Sequence, residues 1–433
     1  MSQNHLLYDV HESPSLGKTF LLSFQHVFAM FGATILVPIL VGLPVSVALF
    51  CSGIGTLIYL FITGFKVPVY LGSSFAYIAA MQYSISSMGG DVSASQTGIF
   101  LVGLIYVAVA AILKVTSSAW LDKLLPPIVI GPMIIVIGLG LSSTAVTQAG
   151  FVEGGDIKHI AVAVFTFLVT AFVSTKAKGV FKIIPFLTGI SVGYVFAAIL
   201  GIVDFQPFYE SFNGPLLGHI LNFPDFYLPF NTNGLFNEYR FYFGPEALAI
   251  LPIAIVTLSE HIGDHTVLGK ICNRNFLKDP GLSKTIAGDG LATSVSALLG
   301  GPANTTYGEN TGVLAMTKVA STRVILGAAL IAMILGFIQP VQAIIMTIPQ
   351  AVLGGMSLLL YGVIASNGLR VLIDNKVDFS HQRNLIIASA MMVLGLGGAI
   401  FPISQLASLS GTALAAIVGV LLNLILPKEG SND

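Results

Sequence analysis

Residues 101–115 read LVGLIYVAVAAILKV, residues 160–174 IAVAVFTFLVTAFVS, and residues 330–348 LIAMILGFIQPVQAIIMTI. Such windows are apolar on every face of a helix, and a helix needs about 20 such residues to cross the hydrocarbon of a bilayer. Strands of a membrane barrel would alternate apolar with polar residues, so the runs predict an all-α polytopic membrane protein. Composition agrees: 55% of the 433 residues are hydrophobic, 9% are charged, and the mean hydropathy is +0.89. A net charge of −1 argues against nucleic acid as a partner.

The first apolar run, from about Phe20, continues for a full span without a small-residue cleavage site, and reads as a retained helix. Cys51 and Cys272 have no ligand-like spacing, so neither a disulfide frame nor a metal site is expected. Polar breaks divide the chain into about fourteen apolar stretches, several of them short or rich in Gly and Pro. With a cytoplasmic N-terminus, 17 of the 19 Lys and Arg residues fall in cytoplasmic connections, leaving only Lys158 and Arg240 outside. Fourteen spans with both termini inside follow: an N-terminal segment 1–17, seven spans over 18–203, an extracytoplasmic loop 204–243 read as an ordered surface loop or lid, seven more over 244–426, and a tail 427–433.

Three pairs of segments repeat in the same order: FQHVF (24–28) with SEHIG (259–263), GSSFA (72–76) with NTTYG (304–308), and PPIVIGPM (126–133) with PQAVLGGM (349–356). Seven spans per half is an odd number, so the second half enters the membrane in the opposite sense. Inverted repeats of this kind place a substrate site near the midplane, where interrupted helices of the two halves meet.

Glu260, Asp264, Asp289 and Glu309 lie inside apolar segments. Each would cost about 2.5–3.5 kcal/mol at the centre of a lipid-facing helix, so they are expected to share a polar interior. LSEHIGDH puts Glu260 and Asp264 on one face of a helix, with His261 and His265 on the adjoining stripe. His261 reads more readily as a packing hydrogen-bonder than as a proton carrier, and His265 as a residue reaching the interface. GSSFA and NTTYG read as short extended pieces interrupting spans 3 and 10, with backbone donors and half-helix ends facing a cavity. Backbone donors with carboxylate acceptors suit a small flat ligand bearing alternating N–H and C=O groups. Withdrawal from water favours the neutral form of a carboxyl group, so one of these acids is suited to load and release a proton. GDHTVLGK departs from a phosphate loop in spacing and lacks its Ser or Thr, and HExxH is absent.

LGSSFAY, SEHIG and NTTYGENTGVLAMTK carry a resemblance, nearly end to end, to the nucleobase-ascorbate transporter (nucleobase:cation symporter) family, and within it to its bacterial uracil-transporting members. The family signature stands here as Glu309, Asn310, Gly312, Thr317 and Lys318. The resemblance implies a fourteen-span inverted repeat divided into core and gate domains in the bacterial inner membrane, acting as a dimer and a proton symporter, with no cofactor. It implies that Glu260 and Glu309 accept from the ring nitrogens of uracil, that backbone at Phe75 and Gly308 meets the carbonyls, and that Ala33 and Tyr307 lie nearby. Proton coupling falls to Glu260, Asp264, Asp289 and His261, with Ser357 and Tyr361 as gate-side members of the network. A Gln is common at the position of Glu309 in purine transporters, so Glu309 favours uracil. A reference uracil-transporting member has His and Asn where this chain has Asp264 and Asp289, so a purine (xanthine or uric acid) proton symporter stays open, as does the identity of the proton carrier. Two readings from other classes are an intramembrane aspartyl protease using Asp264 and Asp289, without its Gly-x-Gly-Asp setting, and an anion transporter or channel of the same fold, which typically adds a soluble domain.

Overall fold

The computed structural model describes residues 6–116, 119–212, 220–404, 407–409 and 411–427, so all but the first residue of the expected tail lies outside the described residues. The chain runs through α1 (Leu16–Val41) and α2 (Val45–Ile62) into a strand, β1 (Leu71–Ser73), a 3-10 turn (Phe75–Tyr77), and a helix of only ten residues, α3 (Ile78–Ser87). Helices α4 (Ser93–Val115), α5 (Pro127–Gly140), α6 (Ile157–Lys176) and α7 (Pro185–Ile199) follow. After the long connection come α8 (Ile253–Cys272), α9 (Leu282–Leu298), a second strand, β2 (Asn304–Thr306), and another ten-residue helix, α10 (Gly308–Thr317). The last helices are α11 (Thr322–Leu335), α12 (Gln350–Asp374), α13 (Gln382–Leu396) and α14 (Gly411–Ile425), with short helical turns in several connections. Among the described residues, seven helical stretches are long and apolar enough to cross a membrane, and four more are apolar but shorter.

Local chemistry sets these boundaries. α1 ends at Gly42, whose φ of 84° is the left-handed conformation that closes a helix. α5 and α12 begin directly after Pro126 and Pro349, which have no N–H to leave unpaired. Gly300, Gly301 and Pro302 stop α9, and the β-preferring run that follows pairs with β1 instead of continuing as helix. The pairing is antiparallel, Leu71 with Thr306, Gly72 with Thr305 and Ser73 with Asn304, and all six residues are buried. Each strand thereby satisfies backbone groups of the other in the buried interior. A Cβ on Gly72 would fall within the Tyr307 ring, so only glycine lets that ring lie on the ribbon.

The helices pack as two groups, α1, α2, α4, α9 and α11 in one and α5, α6, α7, α12, α13 and α14 in the other. Within the first, α4 meets α9 so closely that a Cβ on Gly290 would sit 2.7 Å from the Gly103 carbonyl oxygen. Within the second, α5 and α12 cross at Gly131 and Gly368. α8 touches both groups, and α7 lies against α1.

Two non-helical segments cover the ends. Between residues 220 and 243, Tyr239 donates to the Ala297 carbonyl at 3.1 Å and the Asn222 N–H to the Phe337 carbonyl at 2.9 Å, tying the connection over the C-terminal ends of α9 and α11. Ahead of α1, residues 6–12 run beside 318–322: Leu7 N–H donates to the Lys318 carbonyl (2.7 Å), Ala320 N–H to that of Tyr8 (2.8 Å) and Thr322 N–H to that of Val10 (3.1 Å). Val10 is fully buried, in a cluster with Leu268, Cys272 and Leu314 from the ends of α8 and α10.

Candidate functional site

One turn of α8 presents two stripes. Glu260 and Asp264 are half-buried on one, and His261 and His265, both fully buried, occupy the next. Asp264 accepts from the Thr306 hydroxyl, which fastens α8 to β2. His261 Nδ1 lies 2.8 Å from an Asp289 carboxylate oxygen on α9, with the pair at 0% and 1% side-chain exposure. The other Asp289 oxygen and His261 Nε2 have no partner among the described residues. His265 does not reach an interface. Its Nδ1 sits 2.6 Å from the His261 carbonyl, which can only accept, so Nδ1 carries the proton and Nε2 accepts from the Tyr59 hydroxyl. The two imidazoles stack at 4.0 Å, and the geometry assigns His265 to holding its neighbour.

Glu309 sits in the first turn of α10, where the opening N–H groups of a helix lack intrahelical partners and present partial positive charge. Gly308 beside it is exposed, whereas Tyr307 is 4% exposed, its hydroxyl donating to the Ser73 carbonyl at 3.0 Å and accepting from Thr34 at 3.2 Å. Phe75 opens the 3-10 turn after β1, and Ala33 on α1 shares a buried cluster with Tyr307 and Phe75. The two strands and their short helices therefore bring residues of the sequence-distant motifs LGSSFAY and NTTYGEN to one place. Glu260 lies within coulombic range of Asp264, Asp289 and Glu309. Asp264 and Asp289 are engaged by Thr306 and His261, whereas Glu260 and Glu309 hydrogen-bond to no other residue among those described.

Tyr361 and Ser357, on α12 of the other helix group, are buried, and neither hydroxyl has a hydrogen-bond partner among the described residues. Tyr361 reaches the site by its ring, edge-on to Phe75 at 6.5 Å between centroids.

Several supporting residues escape sequence reasoning. Asn310 donates to the His26 carbonyl at 3.0 Å and lies 3.1 Å from that ring's Nδ1, binding α10 to α1. His26 falls in FQHVF and Asn310 in the family signature, so a signal existed for each, but not for their pairing. Thr257 meets the hydroxyls of Tyr77 and Tyr106, and Asn304 donates to the carbonyls of Ala292 (3.2 Å) and Cys51 (3.3 Å). Tyr77 closes LGSSFAY and Asn304 opens NTTYG, but nothing in the local pattern marks their partners Thr257, Tyr106, Ala292 and Cys51.

Comparison with known proteins fits this architecture. A uracil permease of Bacillus caldolyticus is 49% identical over 428 residues, 98% of this chain and 95% of that one. A uracil permease of Bacillus subtilis (strain 168) is 47% identical over 99% of this chain and 97% of its own, and one of Escherichia coli (strain K12) 42% over 96% and 93%. Among solved structures, the transmembrane domain of the cyanobacterium bicarbonate transporter BicA has a TM-score of 0.63 at 14% identity, covering 97% of this chain and all of that one. The murine Slc26a9 anion transporter in its inward-facing state has a TM-score of 0.69 at 13% identity, covering 96% of this chain and 69% of that one. At such identities these two structures speak for a shared fold alone. The model of the permease family matches residues 17–404, nearly the whole chain, and with relatives this similar along their full length the chain belongs to the permease family.

Proposed function

We propose that this permease carries uracil together with a proton across a bacterial cytoplasmic membrane. The observation that carries the reading is the pair of uncommitted carboxylates, Glu309 at the open N-terminus of α10 and Glu260 on α8 within coulombic range of it. Uracil is flat, with two ring N–H donors and two carbonyl acceptors. The carboxylates accept from the N–H groups, backbone N–H groups at Phe75 and Gly308 donate to the carbonyls, and Ala33 and Tyr307 line the wall. The printed names of relatives 47% and 49% identical support uracil. The purine alternative drew on Asp264 and Asp289, and in each of these acids one oxygen is already engaged, by Thr306 and by His261.

The proton belongs to the same cluster. Glu260 lies within coulombic range of Asp264, Asp289 and Glu309, and His261 with Asp289 is a hydrogen-bonded acid–base pair at the inner edge of the cluster. Substrate that binds Glu260 well in only one protonation state crosses in fixed ratio with the proton. Ser357 and Tyr361 join this network from the second helix group when the groups move together.

The architecture proposed around the site is fourteen membrane segments in two inverted halves, 18–203 and 244–426, joined by an extracytoplasmic connection at 204–243. Both termini are cytoplasmic, the two helix groups act as core and gate, and two chains associate. The antiparallel ribbon supports the inversion, because each strand precedes a ten-residue helix and the two leave the ribbon at opposite ends.

Uptake of labelled uracil into proteoliposomes under an inward proton gradient tests the reading, with xanthine as competitor. Gradient-driven uptake indifferent to xanthine is expected. Glu309→Gln replaces a charged acceptor, worth about 1.5–3 kcal/mol in such bonds, and should weaken uracil binding at least tenfold without loss of folding. Full uptake by that variant, strong competition by xanthine, or uptake unchanged when the gradient is collapsed would each count against it.

A further inference from the structure

A cleft of about 460 Å³ opens where the first turns of α1 and α11 meet. Its polar residues are His11, ahead of α1, Thr19 in the first turn of α1, and Thr322 and Arg323 at the start of α11, and its apolar wall is Phe65, Leu326 and Leu330. Leu326 and Leu330 follow Arg323 at one and two turns along α11, so the cleft passes from cationic to apolar over about 10 Å of helix.

Two of the acids at this end of the bundle are paired with cations. Asp9 pairs with Arg274 and Asp279 with Lys66, both at 2.6 Å, while a Glu12 carboxylate oxygen accepts from the Asp9 N–H at 2.8 Å. Arg323 is exposed and takes part in none of the ion pairs among the described residues, and Lys18 is exposed one position before Thr19. The N-terminus of α11 adds partial positive charge, since Ser321 gives its hydroxyl to the Glu12 carbonyl and does not cap the helix. A cationic mouth above an apolar track, on a chain that crosses a bilayer, complements a lipid with an anionic head.

We propose that this cleft binds an anionic phospholipid, with Arg323 and the His11 ring donating to the headgroup phosphate and one acyl chain lying along Leu326 and Leu330. His11 belongs to the segment that runs beside residues 318–322, so the headgroup joins that segment to α11 from outside the bundle. The site does not depend on the identity of the transported solute.

The test reconstitutes the full chain in nanodiscs of phosphatidylcholine alone or with one part in about five of phosphatidylglycerol, and counts the lipids retained on release by native mass spectrometry. The intact protein should retain phosphatidylglycerol preferentially. Arg323→Gln should lower that preference about fivefold, the effect of one basic group near a charged surface, and Arg323→Gln with His11→Ala should abolish it while elution remains monodisperse. Leu326→Trp, which fills the acyl track and keeps both donors, should reduce retention as well. Equal retention of the two lipids, or an undiminished preference in the double variant, overturns the proposal. Displacement of the lipid by inorganic phosphate alone would make this a simple anion site and overturn the lipid assignment.

Discussion

Asp9 shows how one half-buried surface residue can matter to buried ones. Partial burial pushes its carboxyl up, but the Val10 N–H and the Arg274 guanidinium outweigh that, and its pKa ends below the ordinary value. A lowered acid contributes stability that is complete above its unfolded pKa, about 3.9, and is lost as pH falls through the folded value. The pair is solvated, so its contribution is about 0.2–1 kcal/mol. Protection at residues 6–12, read as exchange relative to the intrinsic rate at each pH, should therefore be unaffected by acid until below about pH 4 and then fall. Asp9→Asn should show a small acceleration already at neutral pH. If variant and parent exchange alike there, the pair does not hold the segment. His265 teaches the converse. Its sequence position suggested an interface, but satisfied nitrogens on both sides make it a support for His261, something hydropathy cannot distinguish.

At the scale of elements, the two strands with their short helices are the device that turns sequence-distant motifs into a site. Hydroxyl-rich GSSFA and NTTYG suggest extended backbone by composition, but they do not say that Leu71 faces Thr306 or that Tyr307 lies on Gly72. Gly72→Ala would drive a methyl into the Tyr307 ring and pull its hydroxyl from Ser73 and Thr34. Overpacking of this kind costs about 1–3 kcal/mol, so the solubilised variant should unfold at a lower Tm and bind substrate weakly. An unchanged Tm would mean that the ribbon tolerates separation from the ring.

For the whole molecule, the division into two helix groups makes relative movement the natural transport step. Gly32 on α1 and Phe186 on α7 face each other across the division, and a Cβ built on Gly32 lies 3.4 Å from that of Phe186, close to disulfide geometry. Gly32→Cys with Phe186→Cys should allow oxidative cross-linking that stops uptake, with recovery on reduction and uracil binding retained throughout. Continued uptake by the fully cross-linked protein would show that these two helices do not separate during transport.

The sequence by itself determined that the chain is apolar and helical, because long runs without polar faces have no other stable environment. It also singled out four acids, because a carboxyl group in such a run demands a special reason. The tertiary structure alone decided which acids remain available. Asp264 and Asp289 look no different in sequence from Glu260 and Glu309, but Thr306 and His261, on other elements, engage the first two and leave the second two open. Partnership at 28 or 42 residues' separation is a property of packing, which hydropathy and spacing along one helix do not encode.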